Sequence, residues 1–214
     1  MKKTLILIFI ISTSCAQNQV NEITLKTGRY KNLSLIINGD SVSGLFQYYK
    51  DWNEKMKDFE SKNNFYFYGK KTNENIYYIN ITNPAEMENF GDKSLGYLIK
   101  RKDTLIFYQG SLDGMYQPVI FTNDNGRIQG YEAKITEEKK WIEIRFIKGP
   151  KIYLYDSPNG IRKKSYLLKY DVCWVLEKKD GWCKVEYYKF DSNILSANGW
   201  IKESLLYERN PNVW

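Results

Sequence analysis

Lys151-Ile152-Tyr153-Leu154-Tyr155-Asp156-Ser157-Pro158-Asn159-Gly160 opens the stretch whose reading decides the fold. It is followed by Tyr170-Asp171-Val172-Cys173-Trp174-Val175-Leu176-Glu177, by Asp180-Gly181-Trp182-Cys183-Lys184-Val185, and by Asn198-Gly199-Trp200-Ile201-Lys202-Glu203-Ser204-Leu205. Each piece is a short run of alternating or β-branched apolar residues. Each is bounded by a turn signal: Pro158-Asn159-Gly160, Asp180-Gly181 or Asn198-Gly199. No helical period runs through them. Short strands closed by tight turns describe a small barrel.

The order of these motifs resembles the bacterial SH3-like domain. The shared features are an opening strand with a Ser-Pro-Asn-Gly turn, a Val-Leu-Glu…Gly-Trp-x-Lys-Val hairpin and a closing Gly-Trp-Ile-Lys segment. The resemblance covers roughly a quarter of the chain, and we assign it residues 149–208, followed by a tail at 209–214. It implies a binding module of cell-envelope proteins, for peptidoglycan or peptides, and not a catalytic one. In the wider SH3 fold, the Trp that begins the second hairpin strand lines an aromatic groove with Tyr from the opening strand. The residues matching that pattern here are Tyr153, Tyr155 and Trp182. For Trp182, groove and packing are both compatible with the sequence. Trp200 fits packing beneath a loop. Trp174 alternates with Cys173 and so points outward, toward the preceding domain.

The N-terminus reads as a targeting segment. Lys2 and Lys3 precede the apolar run Leu5–Ile11, which is too short to span a bilayer, and Ser12-Thr13-Ser14 lead into Cys15. This resembles a bacterial lipoprotein signal peptide of the Bacteroidetes type, covering residues 1–14 and cleaved before a lipid-modified Cys15. The usual Leu three residues before the Cys is Ser12 here. Ala16, where an inner-membrane retention signal would have Asp, and the lack of a following acidic cluster imply the periplasmic face of the outer membrane. Residues 15–23 then form a tether. Losing residues 1–14 takes away two lysines and no acid, which lowers the formal charge from +7 to +5. Nucleic acid is not an expected partner for such a location and charge. The expected partners are peptidoglycan or an envelope protein, together with the membrane through the lipid anchor.

Residues 24–148 read as an antiparallel β domain. Eighteen Tyr, ten Phe and six Trp favour strands. Asn38-Gly39 between apolar runs marks a hairpin. Alternating runs at 64–70, 76–81, 95–100, 104–109, 119–122, 128–135 and 141–147 bring the count to roughly nine strands, a meander closing into a barrel or a curled sheet. Gly28-Arg29-Tyr30 is similar to the Gly-x-Trp opening of lipocalins and other calycins. The polar stretch Asp51–Lys62 suits either one helical turn or a long hairpin loop. Tyr48, Tyr49, Trp52, Phe65, Phe67, Tyr77 and Tyr78 would line a pocket if the barrel were open, and would pack as core if it were not. Gly149-Pro150 marks the domain boundary.

The chain contains no His, so Ser-His-Asp and Cys-His catalysis and most zinc sites are outside its repertoire. Glu86, Glu88 and Asp113 lie in loops, and nothing in sequence makes two carboxyls face each other as a glycosidase requires. Asp124-Asn125-Gly126 is a turn rather than a calcium loop. We therefore expect no enzyme activity, no metal and no cofactor. Cys173 and Cys183 would be a natural disulfide in an oxidising compartment. A hairpin centred near residue 180, however, sets Cys173 opposite a residue near 187, too far from Cys183 for a bridge, so two buried thiols are the other arrangement. Two rival functional classes follow, beside a third in which the protein is purely a structural component of the envelope. In one, the SH3-like module binds peptidoglycan peptide or a protein partner. In the other, the N-terminal barrel is a small-ligand carrier or a periplasmic inhibitor of a cell-wall-degrading enzyme, with the SH3-like module as a dock.

Overall fold

A computed structural model describes residues 25–56, 58–73, 75–82, 94–101, 104–110, 121–122, 128–129, 131–189 and 194–207. The signal segment, Cys15, the tether, the Thr82–Asp92 loop beyond Thr82, Glu86, Glu88, Asp113, Asp124 and the 209–214 tail all lie outside the described residues.

The described chain is all-β, with one 3-10 turn at Glu203–Leu205. The strands in order are β1 (Gly28–Tyr30), β2 (Leu33–Asn38), β3 (Ser41–Asn53), β4 (Asp58–Asn73), β5 (Ile76–Thr82), β6 (Ser94–Arg101), β7 (Thr104–Gly110), β8 (Phe121–Thr122) and β9 (Ile128–Gln129). They continue with β10 (Tyr131–Ala133), β11 (Glu137–Glu138), β12 (Glu143–Phe146), β13 (Lys151–Tyr155), β14 (Arg162–Leu168), β15 (Val172–Lys179), β16 (Trp182–Tyr188) and β17 (Leu195–Lys202). The first sheet runs β10-β7-β6-β5-β4-β3-β2-β1-β11, a meander of antiparallel neighbours. Residues 131–138 pair with β7 at one end and with β1 at the other. One segment thus bridges both edges, and the sheet curls into a barrel. The smaller pair β8-β9 stands apart.

Alternation explains what the curl encloses, because successive side chains of a strand point to opposite faces. Leu33, Leu35, Val42, Phe46, Phe67, Ile79, Ile81, Leu98, Leu105 and Phe107 form the interior cluster. Phe46 and Phe107 stack with centroids 5.3 Å apart, and Phe67 meets Phe107 at the same distance. Gly44 faces this interior, where an added Cβ would sit 2.2 Å from the Phe67 ring. The inside is therefore filled by the barrel's own side chains.

The opposite face carries Ile36, Leu45, Tyr66 and Tyr68. It packs on Trp141, Ile144, Phe146, Trp174 and Tyr188 of the following segment to form a second core. Arg29, on β1, enters this joint. Its guanidinium carbon lies 3.8 Å from the centroid of Tyr188, 5.5 Å from Trp141 and 5.7 Å from Trp174. Burial lowers the Arg29 pKa from its ordinary value, against the opposing pull of Tyr188, Glu137 and Glu186. Glu186 ties the cage together, accepting from Trp141 Nε1 at 2.8 Å and from the Tyr188 hydroxyl at 2.7 Å. Trp174, expected to turn toward the preceding domain, is 1% exposed within this joint.

The second barrel has the strand order β12-β15-β16-β17-β13-β14. Its interior is Ile147, Leu154, Leu167, Cys173, Val175, Cys183, Val185, Ile201 and Leu206. Because β12 pairs with β15, the changeover between sheets falls at residues 139–142, ahead of the Gly149-Pro150 break where the sequence reading set the boundary. The Asp180-Gly181 turn has φ of 49° and 76°, as a two-residue hairpin requires.

Two other expectations resolve differently, and for the two cysteines the buried-thiol arrangement is the one found. Asp51–Lys62 is neither helical turn nor long loop: β3 and β4 pair out to Trp52↔Phe59 and Asn53↔Asp58. Asn198-Gly199 is not a turn but lies inside β17. The glycine is needed there because an added Cβ would sit 2.7 Å from the Tyr155 carbonyl oxygen of β13. Cys173 and Cys183 are both buried free thiols. Trp174 pairs with Glu186, which places Cys173 one step along the ladder, near 187, while Cys183 pairs with Lys178.

Candidate functional site

The outward face of the second barrel is built by the same alternation. Leu154 points into the core, so Lys151, Tyr153 and Tyr155 of β13 point out. Opposite them, Tyr153 pairs with Tyr166, Lys151 with Leu168 and Tyr155 with Arg162, with a register shift between Tyr153 and Tyr155. On the far side, Tyr155 pairs with Trp200 of β17.

These residues form two aromatic groups. In the first, Tyr153 and Tyr166 meet edge to face with centroids 5.8 Å apart. Lys151 Nζ sits 4.0 Å from the Tyr166 centroid and 5.3 Å from that of Tyr153, and the Arg162 guanidinium carbon is 4.4 Å from Tyr153. Two cations are thus held over two rings by cation–π attraction, with their outer sides toward solvent. In the second group, Tyr155 meets Trp182 edge to face at 5.2 Å, and Lys202 Nζ lies 5.7 Å from Trp182.

The Asp156–Ile161 turn fixes how β13 and β14 face each other. The Asp156 carboxylate accepts from Ile161 N at 2.8 Å and from Ser157 Oγ at 3.0 Å, and these bonds hold its pKa below the usual carboxylate value. Asn159 supplies the left-handed residue with φ of 57°. Lys163 leaves the face and donates to the Asn198 carbonyl oxygen at 2.9 Å.

The sequence-predicted trio is therefore divided. Tyr155 and Trp182 are in contact, whereas the ring contacts of Tyr153 are with Tyr166, Lys151 and Arg162. Trp182 is only 5% exposed and offers little surface to a ligand, while Tyr166 is 46% exposed. Trp200 is buried, as packing requires. Tyr166, Lys151 and Arg162 were not singled out from sequence. The available signal was the Pro158-Asn159-Gly160 turn, which folds 162–168 back along 151–155.

The aromatic set proposed for a barrel pocket is divided as well. Phe67 and Tyr77 are in the interior cluster and Phe65 packs against it. Tyr78 meets Tyr97 at 5.4 Å, on the alternate side of β5 from Tyr77. The Tyr49 hydroxyl donates to Asn64 Oδ1 at 2.8 Å on the β3–β4 ribbon. The side chains of Tyr48 and Trp52 lie outside the described residues.

The two core thiols have raised pKa values, burial being the main cause for both; for Cys183 the value is about 11. Such groups are protonated, poor nucleophiles at neutral pH. Among the described residues, no three His, Cys, Asp or Glu side chains gather as a metal site would need. Comparisons with protein-family models, with curated proteins and with solved structures find no match to this chain.

Proposed function

We propose that the protein is a non-catalytic envelope lipoprotein, held at the periplasmic face of the outer membrane by an acylated Cys15. In this reading, the outward face of the second barrel binds the carboxylate-bearing stem peptide of peptidoglycan. The observation that carries the reading is the placement of Lys151 and Arg162 over the rings of Tyr153 and Tyr166. The rings hold the cations in place, and the cations receive carboxylates while the exposed Tyr166 and Leu168 cover apolar parts of the peptide. Of the residues first expected to bind, Tyr153 belongs to this cluster, Tyr155 borders it, and Trp182 supports Tyr155 from behind.

The test is co-sedimentation of the whole mature chain with purified peptidoglycan. A fragment starting at residue 149 would lack β12 and is not a fair substitute. The double change Tyr153→Ala with Arg162→Ala should weaken binding by about tenfold or more. Unchanged sedimentation of the folded variant would refute the assignment.

A second reading, inhibition of a cell-wall-degrading enzyme by the N-terminal barrel, is supported by one element. Residues 47–53 and 58–64 pair with each other beyond the ends of β2 and β5, as a ribbon with Met56 exposed near its tip. Removing the ribbon tip, residues 51–60, would abolish such inhibition and leave peptidoglycan binding intact. The filled barrel interior gives the carrier alternative no support.

A further inference from the structure

We infer that β14 is a docking edge for an extended, acidic protein segment, which joins the second barrel as an added strand. The inference goes beyond peptidoglycan binding, because it concerns the backbone edge and a protein ligand.

The six-stranded sheet ends at β12 and β14. The β12 end is covered by the chain after β17: Tyr207 N donates to Phe146 O at 2.9 Å and Lys148 N to Leu205 O at 2.9 Å. Among the described residues, β14 pairs with β13 alone.

The direction of its backbone groups follows from two hydrogen bonds of Leu168. Leu168 N donates to Asp171 Oδ2 at 2.7 Å, and Leu168 O accepts from Asp171 N at 3.0 Å. Leu168 therefore spends neither group on β13, and Lys151↔Leu168 is a non-hydrogen-bonded pair. Such pairs alternate in an antiparallel ladder, so Tyr153↔Tyr166 is another. The N–H and C=O of Tyr166 point away from β13, where an added strand would meet them.

The side chains define the partner. Arg162, Lys163 and Lys164 lie on β14, Lys151 is on its neighbour, and β14 carries no acid. The acids at its two ends are engaged, Asp156 with Ile161 N and Asp171 with Leu168 N. Apolar surface accompanies the charge: Ile161 is 76%, Leu168 50% and Tyr166 46% exposed. Lysines on an edge strand discourage pairing with a like or neutral strand. The same charges repel a second copy of this edge and select an acidic strand whose alternate residues are apolar. Main-chain bonds to Tyr166 supply affinity, and Arg162, Lys164 and Lys151 supply selection.

The experiment uses the mature full chain, isotope-labelled, and two synthetic peptides: one of alternating glutamate and valine, and the same sequence N-methylated at every residue. The first can donate backbone N–H groups and the second cannot. Binding of the glutamate–valine peptide should slow hydrogen exchange at the Tyr166 amide by about tenfold or more. The N-methylated peptide should bind about tenfold more weakly, and Tyr166→Pro, which removes the outward amide of the edge strand, should weaken the glutamate–valine peptide more than Tyr166→Ala, which keeps that amide. Equal binding of the two peptides, or binding with no protection at Tyr166, would mean charge attraction alone and would overturn the inference. Loss of peptidoglycan binding in Tyr153→Ala with Arg162→Ala is a separate readout, so either assignment can fail without the other.

Discussion

The guanidinium carbon of Arg29 lies 3.8 Å from the centroid of the Tyr188 ring, and this contact joins the first strand of one barrel to the penultimate strand of the other. Trp141 and Trp174 complete the cage, and Glu186 holds Trp141 and Tyr188 in place. The joint is thus a packed core of its own between two barrel interiors. Its charge stays in the joint because aromatic faces and nearby carboxylates compensate its burial.

Replacing that cation should loosen the joint. Arg29→Ala is expected to cost about 2–3 kcal/mol in urea unfolding, from lost cation–π attraction and lost packing. Arg29→Lys should recover only part, because an ammonium does not stack flat on rings. A loss below about 0.5 kcal/mol for Arg29→Ala would mean that the cage does not stabilise the fold.

Trp174→Ala removes the largest fully buried side chain of the described residues. Denaturant titration should show a loss of about 3–5 kcal/mol. The sequence already pointed to this residue: alternation with Cys173 on a strand forces one of the pair out of the barrel, and a Trp facing outward needs a cover. Register was legible for the same reason, since Asp180-Gly181 fixed the hairpin and with it the distance between the thiols. Two features were not legible. Nothing local shows that 143–146 leaves the first sheet, because its apolar alternation suits either barrel; β15 claims it through long-range pairing. Nor does sequence show that Tyr153 turns to Tyr166 rather than Trp182, since the register shift between Tyr153 and Tyr155 sets the two tyrosines of β13 in different company.

The thiols give a redox prediction. With Cys173 and Cys183 free and buried, the melting temperature should not change on adding a reductant, and neither thiol should react with a modifying reagent until the chain unfolds. A lower melting temperature in reductant would reveal a disulfide.

Acid should weaken the second barrel through Glu203. Lys178 Nζ donates to its carboxylate at 2.8 Å and holds its pKa below the ordinary 4.5. A depressed carboxylate pKa contributes stability that is full above the unfolded value and is lost as pH falls through the folded one. Asp171 has the opposite sign: burial raises its pKa above 3.8, so its ionisation opposes folding as pH rises. Melting temperature should therefore fall below pH 4.5 in the wild type and less steeply in Glu203→Gln. Identical slopes would assign the acid sensitivity elsewhere.

The central claim, that the outward face of the second barrel is the binding surface, is tested most directly by titrating the isotope-labelled mature chain with a soluble muramyl tripeptide and following its amide resonances. The account predicts shifts concentrated at Lys151, Tyr153, Arg162 and Tyr166, reduced by added salt because the contacts are between exposed charges. Shifts confined to the ribbon residues 47–64, or to the interior of the first barrel, would contradict it.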